Sequence, residues 1–171
     1  MTAAVFGRGL TVVAAGLLMI GLGCASRTSP RPVEPVRVSQ IDAAADPVRR
    51  ASLRLTLDGL DADARGRSTR ARSQYERAIQ IDPTNPWAYL ALARLEVARG
   101  DANRALEYLQ QAESLLRAER ALSPGVQPHL FGLRGAALEA TGRDGLPELE
   151  RAAQLAPAVW GDGQLSPSEL R

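Results

Sequence analysis

Few side chains in this sequence could take part in catalysis. Histidine occurs once, as His129, and no Gly-x-Ser-x-Gly turn supplies a serine nucleophile. A catalytic histidine needs a nucleophile and an orienting acid beside it, so we expect His129 to have a structural or surface role. One histidine and one cysteine are too few for a zinc site, and the isolated glycines are typical of turns rather than of a phosphate-binding loop. The sequence therefore predicts no enzyme and no bound metal or cofactor.

The charged residues are most simply interpreted as solvated helix faces. Asp61 with Asp63, or Glu148 with Glu150, could supply an acid and a base, but nothing around them favours a glycosidase-like pair. The densest group of one sign is an arginine cluster, whose members are Arg65, Arg67, Arg70, Arg72 and Arg77. It could meet anionic headgroups or an acidic partner, although its spacing scatters the side chains around a helix. The formal net charge of +2 is too small to indicate nucleic-acid binding.

The lone cysteine, Cys24, closes an N-terminal segment that is typical of an export signal. Arg8 precedes an uncharged apolar run from residue 10 to residue 22, which is short for a membrane span and suits the core of a signal peptide. The small residues before Cys24 resemble a bacterial lipobox, in which the chain is cut before the cysteine and the thiol carries the lipid. The resemblance implies a signal peptide over residues 1–23 and lipidation of Cys24, palmitate included.

Two other interpretations of this segment stay open. Gly21 stands where a lipobox usually has leucine, so an ordinary cut after Ala25 is one alternative, and an incidental Cys24 is the other. If lipidation occurs, several acyl chains would anchor the protein firmly where one chain would be marginal. By resemblance to Gram-negative lipoproteins, Ala25 as the second mature residue implies the outer membrane, with the domain facing the periplasm.

Residues 24–45 are predicted to be a flexible linker between the lipid and a folded domain. Pro30, Pro32 and Pro35 lack backbone donors, and the segment is polar and without a helical period. At about 3.1 Å a residue, about 20 residues would hold the domain up to roughly 60 Å from a membrane. The alternative is an arm that lies bound on the domain.

Beyond the linker, apolar stripes at helical spacing recur with glycines between them. Gly66, Gly100 and Gly142 each follow a helical run, and 34 residues separate the first from the second. Each glycine is predicted to end a helix in the left-handed conformation, after which a second helix begins. We place this domain at residues 46–157, followed by a tail or short cap at 158–171.

The pattern resembles the tetratricopeptide repeat, in which 34 residues form two antiparallel helices. The matching positions carry large residues between units, small residues where helices cross, and a turn glycine. In the middle unit they are Tyr89, Leu92, Ala93, Gly100, Ala105, Leu109 and Ala112. In the first unit they are Gly66, Ala71, Tyr75, Ala78 and Pro83, and in the third they are Phe131, Gly135, Gly142, Leu149, Ala152 and Pro157. The resemblance implies an all-α solenoid of about three helix pairs, at about 47–85, 86–123 and 127–157.

Two further expectations concern the ends of these units. The second helix of the middle unit is predicted to run on to Ser123, because Pro124 and Gly125 are the first residues that would stop it. Trp160 is predicted to cover the open end of the last pair, as part of a cap.

In this family the first helix of each pair lines a concave groove that binds a peptide or a helix. The resemblance carries the groove onto Leu60, Asp63, Trp87, Leu90, Arg94, Val97, His129 and Glu139. Tryptophan and arginine are residue types that dominate binding energy at interfaces. The other interpretation, above all for Trp87 and Leu90, is that they are core residues that join one unit to the next.

Together these features predict a non-enzymatic scaffold lipoprotein of the bacterial cell envelope that binds a protein partner. Assembly of a pilus, a secretion system or outer-membrane proteins would suit such a scaffold. The alternative is an accessory or regulatory subunit of an envelope polysaccharide or peptidoglycan enzyme.

Overall fold

A computed structural model describes residues 31–43 and 46–171 of the chain. The predicted signal peptide and Cys24 lie outside these described residues. The long helices are α1 (Pro47–Ala64), α2 (Ser68–Ile81), α3 (Pro86–Arg99), α4 (Ala102–Ala118), α5 (Gln127–Ala140) and α6 (Leu146–Leu155). Two single-turn helices follow, α7 (Pro157–Trp160) and α8 (Pro167–Leu170), and a 3-10 turn at Val38–Gln40 precedes them all. Within the described ranges, no helix combines the length and the apolar character that crossing a membrane requires.

The long helices begin and end where the sequence supplies caps. The side chain of Asp46 accepts hydrogen bonds from the first backbone N–H groups of α1, and Asn85 does the same for α3. The three turn glycines adopt the predicted left-handed conformation, with φ of 72° at Gly66, 81° at Gly100 and 71° at Gly142. Each lies between the two helices of a pair, so the chain reverses there without the strain that a side chain would bring.

The helices pack as three successive pairs, α1 with α2, α3 with α4, and α5 with α6. The predicted all-α solenoid is therefore confirmed for the described residues. Small residues let the paired backbones approach closely. At Gly135, for example, an added Cβ would stand 2.7 Å from the carbonyl oxygen of Gly145, so only glycine suits this crossing of α5 with the start of α6.

Helix α4 is shorter than the sequence predicts. It ends at Ala118, and Arg120 takes a positive φ of 55°. The N–H of Ala121 then donates to the carbonyl oxygen of Leu116 at 2.8 Å, which satisfies one of the carbonyls at the helix end. The local turn, and not Pro124, stops the helix, so the prediction that α4 reaches Ser123 is corrected.

The described part of the predicted linker is an arm that packs on the helices. The N–H of Val33 donates to the carbonyl oxygen of Leu155 at 2.7 Å, and the N–H of Val36 donates to that of Gly125 at 3.0 Å. Val38 is buried in the core. Three valines, at two- and three-residue spacing, supply apolar anchors along this segment, and for this reason residues 33–43 are a bound arm rather than a flexible tether.

Candidate functional site

The first helices of the three pairs, α1, α3 and α5, lie side by side and form one surface, here called the inner face. This is the surface on which the sequence places the groove. Its middle member, α3, is buried over most of its length, because it is packed between α1 and α5 and is paired with α4.

Four of the residues assigned to the groove are core residues. Leu60, Leu90 and His129 are 0% exposed, and Trp87 is 4% exposed. Trp87 and Leu90 are therefore core residues that join neighbouring units. Leu60 and His129, which the sequence assigned to the groove, are core residues as well. These side chains join neighbouring units, which is the ordinary role of an apolar stripe on a packed helix.

His129 holds the N-terminal arm in place. Its Nε2 lies 3.0 Å from the carbonyl oxygen of Val36, and since a carbonyl only accepts, Nε2 carries the proton. Burial lowers the pKa of His129, although the bond to Val36 and the charge of Glu169 oppose this. Its burial and its bond to Val36 therefore give His129 a role in holding the arm on the helices.

Arg94 and Asp63 are brought together as a buried ion pair that links α3 to α1. The hydroxyl of Tyr75 also donates to the Asp63 carboxylate, at 3.4 Å. Burial, followed by the charge of Asp63, raises the pKa of Tyr75, so the phenol stays protonated and remains a donor. Arg94 in turn donates from Nη1 to the carbonyl oxygen of Leu165 at 3.4 Å. The pair thus lies at the contact between the inner face and the C-terminal segment.

One member of the arginine cluster has a partner that the sequence did not indicate. Arg72 pairs with the buried carboxylate of Glu96 on α3, so it stabilises the packing of α2 on the middle unit. Arg65, Arg67 and Arg77 are exposed, in keeping with a solvated helix face. A pairing across 24 residues has no local sequence signal that could have revealed it.

The C-terminal segment lies across the inner face. Residues 161–171, here called the tail, carry Leu165 and Leu170, which are 7% and 0% exposed. Helix α8 contacts both α1 and α3. The tail also meets the arm, because the N–H of Ser39 donates to the carbonyl oxygen of Arg171 at 2.8 Å. The predicted groove is therefore covered by the chain itself.

Trp160, just before the tail, covers the last helix pair as the sequence predicts. It is buried against α5 at Gly132, where an added Cβ would stand 2.3 Å from the indole ring. The close approach is possible only because Gly132 has no side chain.

A pocket of about 220 Å³ remains open where the tail meets the last turns of α3 and α5. Val97, Ala136 and Leu165 give it apolar walls, and Arg94 and Trp160 also line it. Val97 and Arg94 are thus the two predicted groove residues that line this pocket. Glu139 is exposed, and it accepts a hydrogen bond from the N–H of Gly145 at 2.6 Å, so it holds the turn between α5 and α6 instead.

The described residues bring no three His, Cys, Asp or Glu side chains together as a metal site. Their polar clusters are ion pairs between helices and caps at helix ends. What the inner face offers chemically is an apolar surface with one buried ion pair and one open pocket.

Comparison with known proteins identifies the repeat. Residues 64–123 match the tetratricopeptide repeat family, and the match runs from the end of α1 to the loop after α4. Comparisons with curated proteins and with solved structures found no match. A tetratricopeptide repeat is typically a non-catalytic module for protein–protein interaction. The chain therefore contains a tetratricopeptide repeat segment at residues 64–123, within a stack of three helix pairs.

Proposed function

We propose that this protein is a non-enzymatic adaptor that binds a protein partner on its inner face. The observation that supports the proposal is that this face already accommodates a peptide segment, the tail. The tail inserts two leucines five residues apart, Leu165 and Leu170, the second of them on a single helical turn. A partner segment with the same spacing of apolar side chains has the chemistry to take its place.

The tail is held by contacts that a partner segment could outcompete. A four-residue helix such as α8 is marginal without tertiary contacts. The ion pair between Arg171 and Asp61 is 46% and 31% exposed, which makes it worth little. Burial of the two leucines then contributes most of the docking free energy, at about 1.5–3 kcal/mol each.

A partner has one contact available that the tail does not make. The pocket of about 220 Å³ beside Val97 and Ala136 stays open while the tail is bound. A partner segment that fills it with one further apolar side chain gains about 1.5–3 kcal/mol over the tail. That surplus is what would drive the exchange.

A labelled synthetic peptide of residues 157–171 tests this proposal in trans. It should bind the full chain weakly, because the resident tail competes. It should bind at least tenfold more tightly to a full chain carrying Leu165→Ser and Leu170→Ser, in which the resident tail is weakened. The same peptide with both leucines changed to serine is the matched control and should not bind.

The folded state of the double variant is checked by circular dichroism. If the variant keeps its helix content and the peptide still does not bind, the inner-face proposal is wrong. If the variant loses its helices, the proposal is tested instead by the rates of amide hydrogen exchange in the wild-type chain. The proposal then requires the tail amides to exchange faster than those of α3, and equal protection would contradict it.

The site of action that we propose is the bacterial cell envelope, with Cys24 as the lipid-bearing residue and the outer membrane as the anchor. The apolar run before Cys24 and the small residues around it support this. Eight residues separate Cys24 from Val33, which is hydrogen-bonded to the domain, so they reach at most about 30 Å. The partner would then be a component of an envelope assembly close to the membrane surface.

Fractionation of cells tests the anchor. Wild type should sediment with membranes, Cys24→Ala should be recovered in the soluble fraction, and globomycin should leave an uncut precursor. A wild-type protein that is soluble, or a Cys24→Ala protein that stays membrane-bound, would contradict lipidation at Cys24.

A further inference from the structure

A second groove lies between α4, α5 and α6, away from the inner face. Its volume is about 370 Å³, and it is lined by Arg117, Arg134 and Arg151 around Phe131. It is here called the arginine groove. Along α5 it uses residues 130, 131 and 134, whereas the inner-face pocket uses residues 133 and 136, which lie on the other side of the helix.

The arginine groove carries an excess of positive charge. Glu113 is the one carboxylate in its lining, and both oxygens of that group are already used. Oε1 accepts from Arg117, and Oε2 accepts from Arg134 at 2.5 Å. Three guanidinium groups therefore face one carboxylate, which leaves two positive charges in the groove without a counter-charge.

Arg151 is the guanidinium that is free to bind a ligand. Its central carbon lies 4.8 Å from the centroid of the Phe131 ring, and it forms no ion pair with any carboxylate of the described residues. Stacking on an aromatic face leaves the N–H groups at the edge of the guanidinium plane available, and that edge matches a carboxylate in a two-point bond.

The other two arginines of the groove differ in how exposed their side chains are. The side chain of Arg117 is 65% exposed, whereas that of Arg134 is 30% exposed and lies deeper, against Glu113. Arg134 is thus positioned by the protein to assist Arg151, while Arg117 adds charge at the rim. Phe131 and Leu130 form an apolar floor beside them.

From this arrangement we propose that the arginine groove binds an acidic, partly apolar segment of a partner protein. One carboxylate of the segment is held by Arg151 and Arg134, and a neighbouring leucine-type side chain packs on Leu130 and Phe131. A concave groove with apolar walls fits a peptide side chain, whereas a membrane surface would favour arginines that protrude. The proposal is independent of the inner face, because the tail contributes nothing to this groove.

Fluorescence anisotropy with two labelled peptides on the purified full chain tests the proposal. The probe is acetyl-Leu-Glu-Leu-Glu-Leu-amide, and its partner has glutamine in place of glutamate. The acidic peptide should bind the wild-type chain. Its affinity should fall as salt rises, because the contacts are partly exposed, and should fall at least tenfold with Arg151→Gln. The glutamine peptide should not bind.

Arg104→Gln is the matched control, because Arg104 is an exposed arginine on α4 outside the groove. It should leave the affinity unchanged. Equal binding of the two peptides, or equal affinity of wild type and Arg151→Gln, would overturn the proposal. So would binding to vesicles of anionic phosphatidylglycerol that depends on Arg151 in the absence of peptide binding, since the groove would then be a lipid site.

Discussion

Arg94 of α3 and Asp63 of α1 form an ion pair directly under the tail, and both side chains are almost completely buried. The pair joins two repeat units, and its arginine also donates to the backbone of Leu165. The inner face is therefore tied to the tail by a polar contact as well as by the two leucines. A buried pair of this kind costs most when only one partner is removed.

Removal of the cation alone should destabilise the fold. Arg94→Met leaves the Asp63 carboxylate buried without its cation, and we expect a loss of about 3–5 kcal/mol in the free energy of unfolding. Asp63→Leu combined with Arg94→Met should recover most of that loss, because no buried charge remains. Urea unfolding followed by circular dichroism measures both values, and a loss below about 1 kcal/mol for Arg94→Met would show that the pair is not effectively buried.

Stability should fall on mild acidification because of His129. Burial lowers the pKa of this histidine in the folded protein, so between the folded value and the unfolded value of about 6.5 the unfolded chain binds more protons. The contribution of His129 to the free energy of unfolding is fully present above pH 6.5 and is lost as the pH falls below that value. His129 is the one histidine of the chain, so His129→Gln should flatten the slope of unfolding free energy between about pH 7.5 and about pH 5.5, one unit either side of that value. An unchanged slope would mean that the ring is not desolvated.

Close packing of Trp160 on Gly132 should control how firmly the tail is held on the helices. Gly132→Ala places a methyl group 2.3 Å from the ring of Trp160, so the indole must move. Overpacking of this kind costs about 1–3 kcal/mol, and here it should appear as faster proteolysis after residue 160 while the helix content is kept.

The matched control is Gly100→Ala. It also adds a methyl group to a glycine, but at a position with no heavy atom within 4 Å and with φ of 81°, so it strains the backbone without touching the tail. It should lower stability and leave proteolysis of the tail unchanged. Equal cleavage of the tail in the two variants would argue against a specific contact between Trp160 and α5.

The helix pairs could be predicted from the sequence because their signals are local. Gly66 and Gly100 mark the turns, and Ala71 and Ala105, each five residues further on, mark the crossings. The end of α4 was misplaced because it depends on the left-handed conformation of Arg120, a residue type that gives no such signal.

The occupants of the inner face could not be predicted in the same way. The arm and the tail are too short for a periodic pattern, and the contact between Arg94 and Leu165 joins residues 71 positions apart. The prolines of the linker predict an extended segment, but the burial of Val38 depends on a surface formed by distant helices. The sequence spacing of Trp87 and Leu90 is the same whether these side chains line a groove or fill the core. Which of the two occurs depends on how the neighbouring units pack against α3.

The proposed function requires that a bound partner segment displace the tail from the inner face, and hydrogen exchange measures that displacement. The full chain is labelled alone and with a saturating concentration of the synthetic peptide of residues 157–171. We predict that amides of the chain's own residues 164–171 lose protection when the peptide binds, whereas amides near Val97 on α3 keep theirs. Bound peptide with unchanged protection of the resident tail would show that the tail is not displaced, and the proposed function would then be wrong.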